Sequence, residues 1–305
     1  MEQGFFYSNG KLLLSGEYLV LKGALALAAP LKFGQSLRYR ERRGDKGAEW
    51  NSYIYANKWL GAKFDDELNP IEYSDKELAE KLSEILKAAA SLNPGFAERI
   101  AYYSIETQLN FDKGWGLGSS STLISNISYL AGINPYHLLK LVSGGSGFDI
   151  ACARSDMPLF FKKNNGIPEI NEIEFRPPFL DKLYFIYLGN KQSSEESIKN
   201  FSRIKEPFTY EVSEISEITR QMSRTDSFED FSMLMDKHEE IISSVLKTPS
   251  LRQEKFSDFD GSIKSLGAWG GDFAMIAWEH DLDELIHYLH SKGLGTIFTF
   301  RDIIL

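Results

Sequence analysis

The sequence has little cysteine, no histidine cluster, a deficit of basic charge and no long apolar run, and each shortage removes a class of function. Cys152 is the only cysteine in 305 residues, so an internal disulfide and a cysteine-based metal cage are both excluded. His137, His238, His280, His287 and His290 form no metal-ligand grouping in the sequence; His287 and His290 read as neighbours on one helix face. No stretch approaches the ~18 consecutive apolar residues of a membrane span. Residues 1–10 lack the basic patch and apolar run of a secretory leader, so the expectation is a cytoplasmic protein. Acidic side chains outnumber basic ones 43 to 34, a net charge of −9, which argues against nucleic acid or an anionic membrane as the partner. A small anionic substrate remains compatible, because a pocket can be locally basic.

What is present is an ordinary globular composition, 43% hydrophobic and 25% charged. At ~150 residues per domain the length suits one large or two medium domains. Residues 12–14 and 18–21 are short apolar runs around Ser15-Gly16-Glu17 and predict two strands joined by a tight turn. Residues 24–31 fit a strand or a helix, while 35–42 and 100–109 alternate like strands. Residues 75–91 carry Leu78, Leu82, Ile85 and Leu86 at helical spacing and stop at Asn93-Pro94-Gly95. Helices are expected over 123–131, 136–142, most of 195–247 and 282–292, with Phe228, Phe231, Leu234 and Met235 as an inner face. Strands are expected over 183–188, within 267–278 and over 296–300. Strands and helices mix without a strict βαβ rhythm, which points to an α+β fold.

Four segments carry chemistry. Gly116-Leu117-Gly118-Ser119-Ser120-Ser121-Thr122 opens a helix with glycines that admit a close ligand and hydroxyls that suit phosphate or magnesium. It lacks the Gly-Lys-Ser/Thr ending of a Walker loop, and as a plain Gly/Ser turn it would simply cap a helix. Gly144-Gly145-Ser146-Gly147-Phe148-Asp149 sets a carboxylate just beyond a glycine turn, as a general base or as a helix cap. Ser265-Leu266-Gly267-Ala268-Trp269-Gly270-Gly271-Asp272 reads as a close backbone approach or as a turn between strands. Lys11 sits inside an apolar strand, where burial would require an anionic partner.

Together and in this order, these segments resemble the GHMP small-molecule kinase superfamily, from about residue 8 to residue 280. Residues 10–18 resemble its first motif, 116–122 its phosphate loop, 145–151 the segment bearing the catalytic aspartate, and 265–272 its third motif. Gly16-Glu17-Tyr18, Ser146-Gly147-Phe148-Asp149 and Gly270-Gly271-Asp272 lean toward the mevalonate and phosphomevalonate kinase branch. The resemblance implies a ribosomal S5 domain 2-like N-terminal domain over 1–165 and a ferredoxin-like C-terminal domain over 166–305. It implies ATP and magnesium as cofactors and an acidic small-molecule acceptor, mevalonate or 5-phosphomevalonate, with a homodimer as the assembly to test. It further implies Asp149 and Lys11 as catalytic residues, and residues 116–122 as the ATP-phosphate cradle, with Ser120 and Ser121 holding magnesium. Lys11, Glu17, Tyr18, Gly147, Lys191, Ser193, Ser194, Gly270 and Gly271 would border the acceptor. Arg154 reads as a surface ion-pair partner or an anion contact, residues 50–59 as a border of the adenine, and Cys152 as core.

Two departures bear on the substrate. The superfamily's magnesium-holding glutamate has no counterpart, since residues 123–148 contain neither Asp nor Glu. Trp269 stands where the third motif has a glycine. A decarboxylase of the same superfamily, another sugar or amino-acid kinase, and a catalytically silent nucleotide-binding relative are the alternative readings.

Overall fold

The structure, a computed structural model, describes residues 2–44, 46–189 and 194–305. The chain forms two compact units that alternate along the sequence. The first comprises Met1–Gly10, Phe33–Lys113 and Leu117–Arg154; the second comprises Lys11–Lys32, Gly114–Gly116 and Ser155–Leu305. Two long strands, β1 (Gln3–Ser15) and β2 (Ala26–Glu41), contribute to both. Among the described residues no helix is long and apolar enough to cross a membrane.

In the first unit the sheet is completed by β3 (Ala48–Ile54), β4 (Asn57–Phe64), β5 (Pro70–Tyr73) and β6 (Tyr103–Leu109). The order is β5-β4-β3-β6-β2, antiparallel except for the parallel β3–β6 pair. Helices α1 (Lys76–Leu92) and α2 (Gly95–Ile100) lie between β5 and β6, and α3 (Ser119–Ala131), α4 (Pro135–Val142) and α5 (Phe148–Ala153) follow β6. Asp75 caps α1 by accepting the Leu78 amide at 3.1 Å, and Ala79, Leu82, Leu86 and Ala89 form its buried face. That face packs with Leu37, Trp50 and Ile105 of the sheet and with Ile127, Leu138 and Ile150 of the later helices. Each buried leucine contributes about 1.5–3 kcal/mol.

In the second unit the N-terminal part of β2 pairs with β7 (Leu159–Asn164), and β7 pairs with β8 (Ile167–Glu172). Then come β9 (Leu183–Tyr187), α6 (Ser194–Ser202), α7 (Thr209–Met222), α8 (Phe228–Leu246), α9 (Leu251–Lys255), β10 (Ser262–Leu266), β11 (Phe273–Ala277), α10 (Leu282–Ser291), β12 (Ile297–Thr299) and α11 (Phe300–Ile303). The second sheet is antiparallel in the order β10-β11-β9-β12, and every residue of β10 and β11 is buried. On α8, Phe231 and Met235 are buried as expected and Phe228 and Leu234 partly so; the inner face continues through His238, Glu239, Ile242 and Val245.

The α+β expectation holds, with one local correction. Residues 18–21 are not a strand: Leu19–Lys22 is a short 3-10 turn. Gly16 at φ 100° and Tyr18 at φ 61° reverse the backbone, and the Val20 amide donates to the Gly16 carbonyl at 2.9 Å. The segments expected separately at 24–31 and 35–42 are joined in the single strand β2.

Candidate active site

In the first unit, α3 begins at Ser119 with Gly118 as its N-cap in the left-handed region, φ 96°. The Thr122 amide makes the first helical bond, to the Gly118 carbonyl at 2.9 Å, so the amides of residues 119–121 have no partner inside the helix. No acidic residue occupies the first turn, where the positive end of the helix dipole lies. Ser120 is exposed and Ser119 half-buried, whereas Leu117 and Thr122 are fully buried. Thr122 Oγ1 donates to Gln35 Oε1 at 2.9 Å, so its side chain anchors the helix to β2 rather than facing a ligand.

Ser121 Oγ donates to the Gly118 carbonyl at 2.8 Å and keeps its lone pairs. Serine oxygens are hard donors of the kind magnesium takes, and among the described residues no three His, Cys, Asp or Glu side chains converge. The donor set therefore fits an ion that relies on hydroxyls, phosphate oxygens and retained water.

Asp149 lies in the first turn of α5 and is half-buried. Gly147, at φ 98°, is the N-cap, so Asp149 does not hold the capping position. The Tyr136 ring covers Gly147: a Cβ there would lie 3.1 Å from Cε1. Burial pushes the Tyr136 phenol up to about 12, with Cys152 and Asp149 adding to the rise and Arg154 opposing it. Cys152 is core, as expected. Arg154 makes no ion pair among the described residues, against the surface-pair expectation. It donates to Ser125 Oγ at 3.2 Å and lies 3.8 Å over the Tyr129 ring. Of residues 50–59, Trp50 is fully buried and donates to Ser52 Oγ at 3.1 Å, which makes it core rather than an adenine border. Trp59 is half-buried, with Lys113 4.2 Å over its ring.

In the second unit, Lys11 is buried in β1. Trp115 packs among Tyr187, Phe273 and Phe298, and Gly116 packs on Asp272. Residues 267–272 link the antiparallel β10 and β11, with Gly267 and Gly270 at φ 77° and 70° and the Gly271 amide donating to the Ala268 carbonyl at 3.1 Å. The segment is thus a hairpin turn that also brings Asp272 against Gly116. The Trp269 indole is tied back to the Pro249 carbonyl at 3.0 Å, and its amide donates to Tyr18 Oη at 2.7 Å. Burial raises the Tyr18 phenol.

Glu17 corrects an expectation. Its carboxyl is buried against Lys264, at 2.5 Å, and His238, at 3.2 Å, so it holds the fold rather than presenting itself to a substrate. Lys264 escaped the sequence reading, although the signal that singled out Lys11, a lysine inside an apolar strand, applies equally to it. Lys191 and Ser193 lie outside the described residues, and Ser194 is the first residue of α6.

No sequence model of a protein family matches the chain, and no curated protein matches it by sequence. Solved structures do match. The mevalonate kinase of Methanococcus jannaschii superposes with a TM-score of 0.69 at 19% identity, over 97% of each chain. The phosphomevalonate kinase of Streptococcus pneumoniae, in complex with phosphomevalonate and AMPPNP, gives 0.71 at 16%, over 97% of this chain and 99% of its own. The galactokinase of Lactococcus lactis, complexed with galactose, gives 0.65 at 14%, over 97% and 92%. The chain therefore has the fold of the GHMP kinases over nearly its whole length.

Proposed function

We propose that this chain is an ATP-dependent phosphotransferase acting on a hydroxyl or phosphate of a mevalonate-pathway intermediate, mevalonate or 5-phosphomevalonate. The observation that supports this reading is the glycine-capped start of α3, which offers three amides with no partner inside the helix, in a chain with the GHMP-kinase fold. Phosphoryl transfer asks for positioning and charge stabilisation more than for covalent chemistry. On this reading residues 1–165 form the ATP-binding domain and 166–305 the C-terminal one.

The amides of residues 116–121 bind the ATP phosphates, and the oxygens of Ser120 and Ser121 hold magnesium. Magnesium bound there supplies neutralisation of phosphate charge. Asp149 accepts or orients the proton of the acceptor hydroxyl. Lys11 contributes the positive charge that offsets charge built up in transfer. Tyr18, Gly147, Lys191, Ser193, Ser194, Gly270 and Gly271 border an acidic acceptor. A cytoplasmic homodimer, with neither nucleic acid nor membrane as partner, completes the reading.

The experiment is ADP release with Mg-ATP against mevalonate, 5-phosphomevalonate, 5-diphosphomevalonate, homoserine and galactose. Turnover on one mevalonate compound identifies the acceptor, and product analysis separates transfer from decarboxylation. Silence on all five with ATP still bound overturns the reading in favour of a silent relative.

A further inference from the structure

Helix α3 packs into the core of the first unit through Ile124, Ile127, Leu130 and Ala131, yet four polar side chains are also buried where it meets β1 and β2. They are Ser8 of β1, Gln35 of β2, and Thr122 and Asn126 of α3, none more than 3% exposed. Ser8 Oγ donates to Asn126 Oδ1 at 2.9 Å, and Asn126 Nδ2 donates to the Gln35 carbonyl at 2.9 Å. The Thr122 hydroxyl reaches Gln35 Oε1 at 2.9 Å and the Ser119 carbonyl at 3.0 Å. All these residues belong to the first unit.

Burying these groups costs desolvation that an apolar seam would avoid, so what they contribute is direction. Apolar contact is non-directional and lets a helix slide by small amounts along its axis. Hydrogen bonds of 2.9 Å do not. Gln35 holds α3 twice: its side chain bonds Thr122, and its carbonyl bonds Asn126, about one helical turn further on. Gln35 is itself fixed in the sheet, in register with Leu109 of β6. Thr122 in turn reaches Ser119, the first residue of α3, and its amide closes the first helical bond, to Gly118 at 2.9 Å. One side chain of β2 thus acts on the turn that carries the amides of residues 119–121.

We propose that Gln35 is a positioning residue for a bound phosphate: acting through Thr122, its side chain fixes the first turn of α3, and with it the amides of residues 119–121, in one orientation. The role rests on the kinase reading, because the phosphate served is the nucleotide's.

MgATP affinity, measured by calorimetry, tests it in wild type, Gln35→Leu, Thr122→Val and the double variant. Gln35→Leu removes the side-chain amide but keeps the carbonyl that holds Asn126, and it leaves the Thr122 hydroxyl its Ser119 acceptor. Each single change should weaken binding about tenfold, because donors displaced by a fraction of an ångström lose much of their hold. The double variant should bind no more weakly than the weaker single one, since both changes cut the same bond. Ser128→Ala controls for destabilisation alone. It deletes a fully buried hydroxyl of the same helix, bonded to the Ile124 carbonyl at 2.7 Å, and should bind MgATP like wild type. Unchanged affinity in Gln35→Leu, losses that multiply in the double variant, or an equal loss in Ser128→Ala each overturn the proposal.

Hydrogen exchange without nucleotide separates the proposal from the kinase reading. The Thr122 and Leu123 amides should exchange about 2- to 10-fold faster in Gln35→Leu, as expected for the loss of one hydrogen bond. Rates equal to wild type overturn the proposal even where ATP binds. A wild type that binds no MgATP overturns the kinase reading and the nucleotide role with it, while the exchange rates still decide whether Gln35 holds the turn. If one single variant fails to fold, the other carries both measurements.

Discussion

The α-carbon of Gly116 rests on the carboxylate of Asp272: a Cβ at Gly116 would overlap both Oδ2 and Cγ of that side chain. The end of one glycine-rich segment thus fills the space beneath the start of another, 156 residues earlier in the chain (272 − 116). Gly116 also stands at φ 67°, so glycine is required there for conformation and for space alike.

Gly116→Ala should cost roughly 2–4 kcal/mol, from the left-handed backbone and from displacement of a buried carboxylate. Pairing it with Asp272→Gly should recover the steric part, giving a cost well below the sum of the two single changes in chemical denaturation. Strict additivity would show that the contact does not exist in solution.

On the kinase reading, Asp149→Asn should lower kcat by about 10²–10⁴ and leave ATP affinity nearly intact. Steady-state turnover beside calorimetric nucleotide binding measures both. Normal turnover removes Asp149 from the mechanism.

Tyr18→Phe deletes the acceptor of the Trp269 amide, a 2.7 Å bond between partly buried groups. The expected loss is about 1–2 kcal/mol in urea unfolding, since the amide is left without its partner. An unchanged midpoint would mean that water takes the place of the phenol oxygen.

His238 should destabilise the fold toward acid. Its folded pKa lies well below the unfolded 6.5, so the native state binds fewer protons and stability falls as pH drops below that value. His238→Gln keeps an acceptor for the Gly16 amide without titrating. The stability of wild type relative to this variant should decline by up to about 1.4 kcal/mol per pH unit below 6.5. A constant difference from pH 7 to 5 would contradict a neutral buried imidazole.

Local chemistry made part of this protein legible in its sequence. Asp75 before an amphipathic run, Asn134-Pro135 at the start of α4, and a glycine before a serine-rich helix each specify a helix start through bonds spanning two to four residues. The same locality exposed Gly147 and Asp149 at the head of α5 and the buried Cys152 behind them. It misjudged residues 18–21, where apolar character suggested a strand but the reversal at Gly16 and Tyr18 imposed a 3-10 turn.

Pairings between distant residues had no such signal. Glu17 and Lys264 are separated by 247 positions, so nothing in either neighbourhood announces the other. The resemblance placed Glu17 toward a substrate, whereas burial and the facing groups turn it inward. Trp269 stood out in the sequence only as a departure from the third motif, and the position of the Pro249 carbonyl shows where its indole is held. Backbone preference and capping act within a few residues, which is why the longer helices, part of the strands and the glycine-rich turns were legible in the sequence. Which buried charges meet and which glycine packs on a carboxylate were decided by tertiary structure, because desolvation and pairing depend on what the rest of the chain brings alongside.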